Sequence, residues 1–449
     1  MGFPKDFVFG AATAAFQVEG ATKEGGRTPS IWDGEHLIPG RVTNGDSADV
    51  ACDHYHRYPE DVRLMKELGL DSYRFSISWP RIFPQKGKYN EEGMQFYKNL
   101  LAELKKSGIS AAVTVYHWDL PQWAQDEGGW LNRECVNWYL EFAAKCFEEL
   151  DGDVALWITH NEPFCASFLA YQTGDGAPGI ATTEKGLRAA HHILLSHGMA
   201  VRAYRKMGGK KKIGITLNLG VHYPEKDTFA DRFAVRIADG YGNRWFLEPV
   251  FHGRYPDDLT ALFAARCGTD FDFIREGDLD CISAPIDFLG VNYYSSTVVR
   301  YRGSAAYLTA NGYSGREKTA MGWDITPDSL VELIAGVRRD YTDIPVYITE
   351  NGSAWHDEVT GGKVHDEKRC DYLLRHLDAV SRANDRGLNV AGYFAWSLMD
   401  NLEWNQGYSQ RFGIIYIDFN TLERIPKDSF HTYRKCIAEA KKTGKIRIE

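Results

Sequence analysis

Short apolar runs alternate with stretches of helical periodicity from one end of the chain to the other. The apolar runs are rich in β-branched and aromatic residues and bounded by Gly, Pro, Asn or Asp. They predict strands at Val8–Phe16, Ser72–Ser78, Ala111–His117, Ala155–Thr159, Lys212–Leu219, Phe288–Tyr293, Val346–Thr349 and Val390–Trp396. Between them, amphipathic spacing predicts helices including Pro59–Leu68, Glu91–Lys106, Arg133–Glu149, Thr183–Met207, Pro327–Arg339 and Asp366–Arg386. Pro327-Asp328-Ser329 reads as a helix start, and Gly108 and Gly387 read as helix stops. Eight strands alternating with helices argue for parallel β/α units, and eight is the number that closes a barrel. The chain's 449 residues are more than this architecture needs, so the surplus is expected in loops, at Arg300–Met321 and Thr22–Asp49. No linker, low-complexity tract or repeat divides the sequence. The expected fold class is α/β: a single (β/α)8 TIM barrel forming one catalytic domain over residues 1–449, with elaborated β→α loops.

Composition narrows the partners. The 52 basic and 61 acidic residues leave a net charge of −9 with no basic block, which argues against nucleic acid or an anionic membrane. The apolar stretches are strand-sized, well short of the ~20 residues of a membrane span. Met1–Phe7 lacks the charged and apolar regions of a signal peptide, and the eight cysteines are scattered without a C-x-x-C pair. These features read as reduced, mostly structural thiols and a cytoplasmic protein. Aromatic residues make up 13% of the chain, with 12 Trp, a stock suited to packing or to stacking on apolar ring faces.

Function in such barrels collects at the C-terminal ends of the strands, and polar residues cluster there. Gln17 ends the first predicted strand, Arg74 lies in the second, and His117-Trp118 end the third. Asn161-Glu162 end the fourth, Asn292-Tyr293-Tyr294 the sixth, Glu350 the seventh and Trp396 the eighth. A buried strand that ends in a carboxylate is costly unless the group has partners at an open mouth. Two such ends suit a reaction needing one protonated and one ionised carboxyl, as in cleavage of a glycosidic bond. Donors beside flat aromatic faces suit a sugar, whose edge is hydroxyls and whose faces are C–H.

Six segments carry a family resemblance over the whole chain. They are Phe9–Gly20 (FGAATAAFQVEG), Tyr73–Arg81 (YRFSISWPR), Tyr116–Pro121 (YHWDLP), Asn161-Glu162-Pro163, Ile348–Gly352 (ITENG) and Trp396–Trp404 (WSLMDNLEW). In this ordered set the chain resembles the family 1 glycoside hydrolases, the β-glucosidase family. The resemblance implies that Glu162 is the general acid and then the base, and that Glu350 is the nucleophile. It sets Arg74 and Tyr294 beside the nucleophile, where a cation and a phenol favour its charged form. It assigns Gln17, His117, Asn161, Glu403 and Trp404 to sugar hydroxyls, and Trp396 to the platform under the ring. Trp118 and Asn292 read either as substrate contacts or as packing and strand-end residues. Trp323 is expected on the leaving-group side, with Phe412 a wall.

Relatives that cleave 6-phospho-sugars carry Ser where this chain has Glu403, and only Arg411 is basic between 403 and 413, so plain sugars are favoured. His160 departs from the apolar residue usual before Asn-Glu-Pro. Alternation puts it on the face of Glu162, where it is either a cation lowering the acid's pKa or a neutral hydrogen-bonded barrel residue. Asn351-Gly352-Ser353 is discounted as a glycosylation acceptor, and His54-Tyr55-His56 and His191-His192 as metal sites. The expected activity is that of a retaining exo-β-glucosidase on small β-glucosides or cello-oligosaccharides, without metal or cofactor. β-Galactosidase, β-fucosidase or transglycosylase action is the alternative, and a non-catalytic sugar-binding protein a remote one.

Overall fold

The structure is a computed structural model that describes residues 2–33, 39–304 and 308–446. Residues 34–38 and 305–307, inside the two expected loop insertions, lie outside the described residues. Eight parallel strands close into a barrel: β1 (Val8–Ala12), β2 (Ser72–Ser76), β3 (Ser110–Tyr116), β4 (Val154–Asn161), β5 (Lys212–Asn218), β6 (Phe288–Asn292), β7 (Val346–Asn351) and β8 (Val390–Trp396). Each strand pairs with its neighbours in sequence, and β1 closes the ring against β8 with Val8 opposite Gly392 and Ala12 opposite Trp396. The long helices of the outer layer are α1 (His54–Leu68), α2 (Glu91–Lys106), α3 (Glu134–Leu150), α4 (Thr183–Lys206), α5 (Pro327–Asp340), α6 (Glu367–Asp385) and α7 (Asp428–Thr443).

Two hydrophobic layers follow from strand alternation. Ala12, Ala112, Leu156, Ile158, Phe288, Tyr347 and Phe394 fill the barrel interior. The opposite faces, with Tyr73, Val113, Trp157, Ile215, Val291 and Ile348, pack under the helices. The helix α7, absent from the predicted elements, buries Phe430, Tyr433 and Ile437 and packs against α1 and α6. Its Tyr433 hydroxyl donates to the Gly10 carbonyl at 2.8 Å, tying the last helix to the first strand.

Three expectations need correction. The first strand stops at Ala12, and Ala15–Val18 form a helical turn, so Gln17 stands on that turn instead of ending a strand. The largest elaboration follows β5, where Phe229–Asp239, Trp245–His252, Asp257–Cys267 and Asp278–Ile282 are helical. The Arg300–Met321 stretch is partly strand: Thr309–Asn311 pairs with Thr297–Tyr301, which pairs in turn with His222–Pro224.

Candidate active site

Strand irregularities aim the two central carboxyls. Between Ile158 and Asn161, β4 spends three residues where β5 spends two, from Gly214 to Thr216. Such a bulge breaks the in–out alternation. Thr159 and His160 therefore both turn outward to the helices, and Asn161 turns in. Glu162 follows in the left-handed region, φ 46°, held by its N–H donating to Thr216 O at 2.9 Å. On β7 a second shift lies between Ile348 and Glu350, which pair with Val291 and Asn292 of β6. Thr349 and Glu350 then both face the barrel axis, with Asn351 turned outward to Tyr393 and Tyr372. Gly352 leaves room for this: a Cβ there would lie 1.7 Å from the Trp396 carbonyl oxygen.

Glu350 is buried, and each oxygen has a strong donor. Arg74 Nη1 donates to Oε1 at 2.6 Å, and the Tyr294 hydroxyl to Oε2 at 2.6 Å. Arg74 is fully buried and spreads its other donors over Thr349 O (3.0 Å), Thr114 Oγ1 (3.2 Å) and Asn161 Oδ1 (2.6 Å). Glu162 has weaker partners: Asn292 Nδ2 to Oε1 at 2.6 Å and the Cys165 thiol to Oε2 at 3.0 Å. Asn292 is itself oriented, because its Oδ1 accepts from Thr349 Oγ1 at 2.8 Å, which forces the amide nitrogen toward Glu162 and Asn161.

These partners separate the two acids. Burial, and then the neighbouring Glu350 charge, push Glu162 up to about 7. Burial also lifts Glu350 above the ordinary carboxyl value, but Arg74 and Tyr294 oppose the lift, so the proton belongs on Glu162. Burial and the facing Glu350 hold the Tyr294 phenol well above its ordinary range, and it stays a donor. A third carboxyl, Glu403, is driven to about 8 by burial and by the charges of Glu350 and Glu162.

A cavity of about 660 Å³ opens over these groups, lined by Glu162, Glu350, His117, Trp118, Asn292, Tyr294, Trp323, Trp396, Glu403, Trp404 and Phe412. Gln17, Arg74 and Asn161 are fully buried and contact Glu403, Glu350 and His117 of that wall. Gln17 Nε2 donates to Asn401 Oδ1 (2.9 Å) and Leu402 O (2.8 Å), with Glu403 Oε2 at 3.5 Å, while its buried Oε1 has no protein partner. Asn161 Oδ1 accepts from Arg74 and Asn292, so its Nδ2 donates to His117 Nε2 at 3.0 Å. His117, kept neutral by burial and by Arg74, therefore carries its proton on Nδ1, which also lacks a protein partner. Trp118 Nε1 donates to Asn161 O at 2.9 Å. The aromatic walls are Trp396 stacked on His117 (6.0 Å, 19°), Trp404 on Phe16 (5.8 Å, 8°), and Trp323 beside Tyr294 (5.3 Å) and Phe412 (6.0 Å).

His160 lies apart from this group. Alternation set it on the face of Glu162; the bulge turns it onto Tyr139 of α3 (4.4 Å, 27°), with Nε2 2.8 Å from Ser196 Oγ of α4. Burial holds it well below its ordinary value, so it is neutral. Cys165, expected among the structural thiols, looks like any packing thiol in the sequence; the helical turn after Pro163 brings it under Glu162. The discounted histidines have other partners: His54 pairs with Asp61, His56 with Asp53 and Glu24, His191 with Tyr255 and Asp278, and His192 with Trp130 O. Among the described residues no group of three or more His, Cys, Asp or Glu could hold a metal ion, and no helix is long and apolar enough to cross a membrane.

The chain matches the model of glycosyl hydrolase family 1 over residues 1–442. It is 46% identical to beta-glucosidase A of Acetivibrio thermocellus, covering 97% of this chain and 98% of that protein. It is 45% identical to a bifunctional beta-D-glucosidase/beta-D-fucosidase of Bifidobacterium breve, covering 98% and 99%. Among solved structures, the GH1 beta-glucosidase from Exiguobacterium antarcticum superposes with a TM-score of 0.97 at 54% identity, covering 99% of this chain and 100% of that one.

Proposed function

Because the chain belongs to glycosyl hydrolase family 1, we propose that its two buried glutamates make it a retaining β-glucosidase that releases non-reducing terminal glucosyl units. The observation that carries the reading is the unequal surroundings of the two carboxyls: Glu350 has a guanidinium and a phenol, Glu162 only an amide and a thiol. Glu162 donates its proton to the glycosidic oxygen while Glu350 Oε attacks C1, and the leaving alcohol departs from a glucosyl ester. Esterification removes the Glu350 charge that had raised Glu162, so Glu162 becomes a weaker binder of its proton. It then takes a proton from water, which attacks C1 and frees Glu350 with net retention.

The glucosyl unit is held by Gln17, His117, Asn161, Glu403 and Trp404 at its hydroxyls, with Trp396 beneath and Trp118 and Asn292 as further contacts. Two buried atoms without protein partners, Gln17 Oε1 and His117 Nδ1, supply an acceptor and a donor for it. Trp323 and Phe412 border the leaving group. Glu403, which keeps its proton up to about 8, offers a 6-phosphate no cation, and Arg411 nearby is engaged by Asp400, which supports plain glucosides as substrates. One catalytic domain over the whole chain is supported by the ring closure of β1 on β8. Eight free cysteines support residence in the cytoplasm, and the proposed action on cello-oligosaccharides would place the enzyme in cellulose breakdown. The likeness to a glucosidase/fucosidase supports fucosides as a second substrate class.

The test is kcat/KM on an aryl β-glucoside beside its 6-phosphorylated counterpart. Strong preference for the plain glucoside is expected. Preference for the phosphorylated one overturns the role of Glu403, and no turnover of either overturns the activity.

A further inference from the structure

A group of buried charges stands outside the catalytic chemistry. Under the loops after β7 and β8 lie three carboxylates, Asp357, Asp366 and Asp400, and three cations, Arg369, Arg411 and Lys427. Five of these side chains are at most 3% exposed, and Arg411, at the edge, is 18% exposed. Lys427 Nζ donates to Asp400 Oδ1 at 2.7 Å and to Asp357 Oδ2. The other Asp400 oxygen accepts from Arg411 Nη1 at 2.6 Å, and Oδ1 also accepts from Gly413 N at 3.0 Å. Arg369 pairs with Asp357 and Asp366 and donates to the carbonyls of Ser353 (3.2 Å) and Arg411 (2.7 Å).

The charges balance, and desolvation offsets much of their attraction, so such a cluster adds little net stability. Its effect is on position. Arg369 holds Ser353, which follows Glu350 by three residues, and Asp400 precedes Glu403 by three. From Asp400 the contacts run on: Asn401 Oδ1 accepts from Gln17 Nε2 at 2.9 Å, and Gln17 Nε2 also reaches Leu402 O at 2.8 Å. Lys427 and Arg411 draw on opposite oxygens of Asp400, so losing either unbalances the pull on a carboxylate that Gly413 N then holds on one side, and the Asp400–Glu403 segment shifts. Backbone bonds from Asp400 N to Ile415 O (2.9 Å), Leu402 N to Gln17 O (3.3 Å) and Glu403 N to Gly407 O (2.8 Å) hold the loop's shape, and the Asp400 carboxylate is the side chain that ties its start to the charged cluster.

We propose that Lys427, through Asp400, is a positioning residue for sugar selectivity: it sets where the Glu403 carboxylate stands and so which hydroxyl pattern is accepted. This rests on the assignment of Glu403 to sugar hydroxyls. Glucosides, galactosides and fucosides differ at C4 and C6, so a displaced Glu403 changes them unequally, whereas a smaller active fraction changes them equally.

The experiment measures kcat/KM for the aryl β-glucoside, β-galactoside and β-fucoside in wild type, Lys427→Met, Arg411→Met and Glu403→Gln. Active sites are counted by covalent titration. Lys427→Met and Arg411→Met are expected to shift the glucoside-to-fucoside ratio about fivefold or more, in the direction of Glu403→Gln, the size of one lost hydroxyl contact. Their pH limbs stay at the wild-type positions. If Lys427→Met does not fold, Arg411→Met at the cluster's edge decides alone. Equal losses on all three sugars, or an unchanged ratio, overturn the positioning role. A wild-type ratio in Glu403→Gln overturns instead the assignment on which it rests.

Discussion

Replacing Asn292 by Ala removes the amide that touches both acids. In the native site its Nδ2 donates to Glu162 Oε1 at 2.6 Å and favours the ionised form there, and it also lowers Glu350. A hydrogen bond to a charged group contributes about 1.5–3 kcal/mol. At about 1.4 kcal/mol per pKa unit, its loss raises Glu162 by about one to two units. Glu162 starts at about 7, so the alkaline limb of kcat/KM, which reports loss of its proton in the free enzyme, moves to higher pH by that amount. Glu350 keeps Arg74 and Tyr294, so the acid limb moves up less and the profile widens. The assay is kcat/KM for an aryl glucoside over the whole profile, with Thr349→Val alongside. Thr349 only orients the amide, by its 2.8 Å bond to Asn292 Oδ1, so its loss shifts the limb in the same direction by under about one unit. An alkaline limb that stays in place or moves to lower pH in Asn292→Ala refutes the assignment of acid to Glu162.

Three further outcomes follow from particular contacts. His160→Phe leaves both pH limbs in place, because the imidazole is neutral and faces the helices, but losing the Ser196 bond lowers thermal stability by about 1–3 kcal/mol; a shifted limb contradicts this. Glu403→Ser lowers kcat/KM on the plain glucoside, which loses a hydroxyl contact, and raises it on the 6-phosphorylated one, since the shorter side chain leaves room for the phosphate; a fall on both contradicts the subsite reading. Asp61 is buried between His54 and Arg424; burial pushes its carboxyl up, yet the two partners together hold it below the ordinary value. A depressed folded pKa gives stability that is present above the unfolded value of about 3.9 and lost as pH falls through the folded one. The stability gap between wild type and Asp61→Asn in denaturant titrations therefore shrinks on acidification below about pH 5; a constant gap contradicts it.

The barrel was legible because period-two apolar runs and helical spacing speak for themselves over long segments. Glu91–Lys106 runs between its predicted bounds, and Val390–Trp396 does the same. What stayed hidden depends on single inserted residues or on tertiary closeness. Strict alternation put His160 with Glu162 and offers no sign of the extra residue that turns Thr159 and His160 out and Asn161 in. Val8–Phe16 reads as one apolar run, so the break at Ala12 that sets Gln17 on a helical turn is invisible to periodicity. The thiol of Cys165 and the hydroxyl of Thr349 look like ordinary filling until the fold brings them against Glu162 and Asn292. The strand ending in Glu350 was legible as an anomaly, a carboxylate where burial is costly, and Arg74 and Tyr294 are the partners that make it tolerable.

The most direct test of a two-step mechanism through Glu350 is to trap its ester. A 2-deoxy-2-fluoro-β-glucoside with a good leaving group slows both steps, and with its activated leaving group the second becomes the slower. Mass spectrometry of the inactivated protein and its peptides should show one fluoroglucosyl group, carried by the peptide containing Glu350. A label on Glu162 or Glu403, or inactivation without any covalent sugar, contradicts the account.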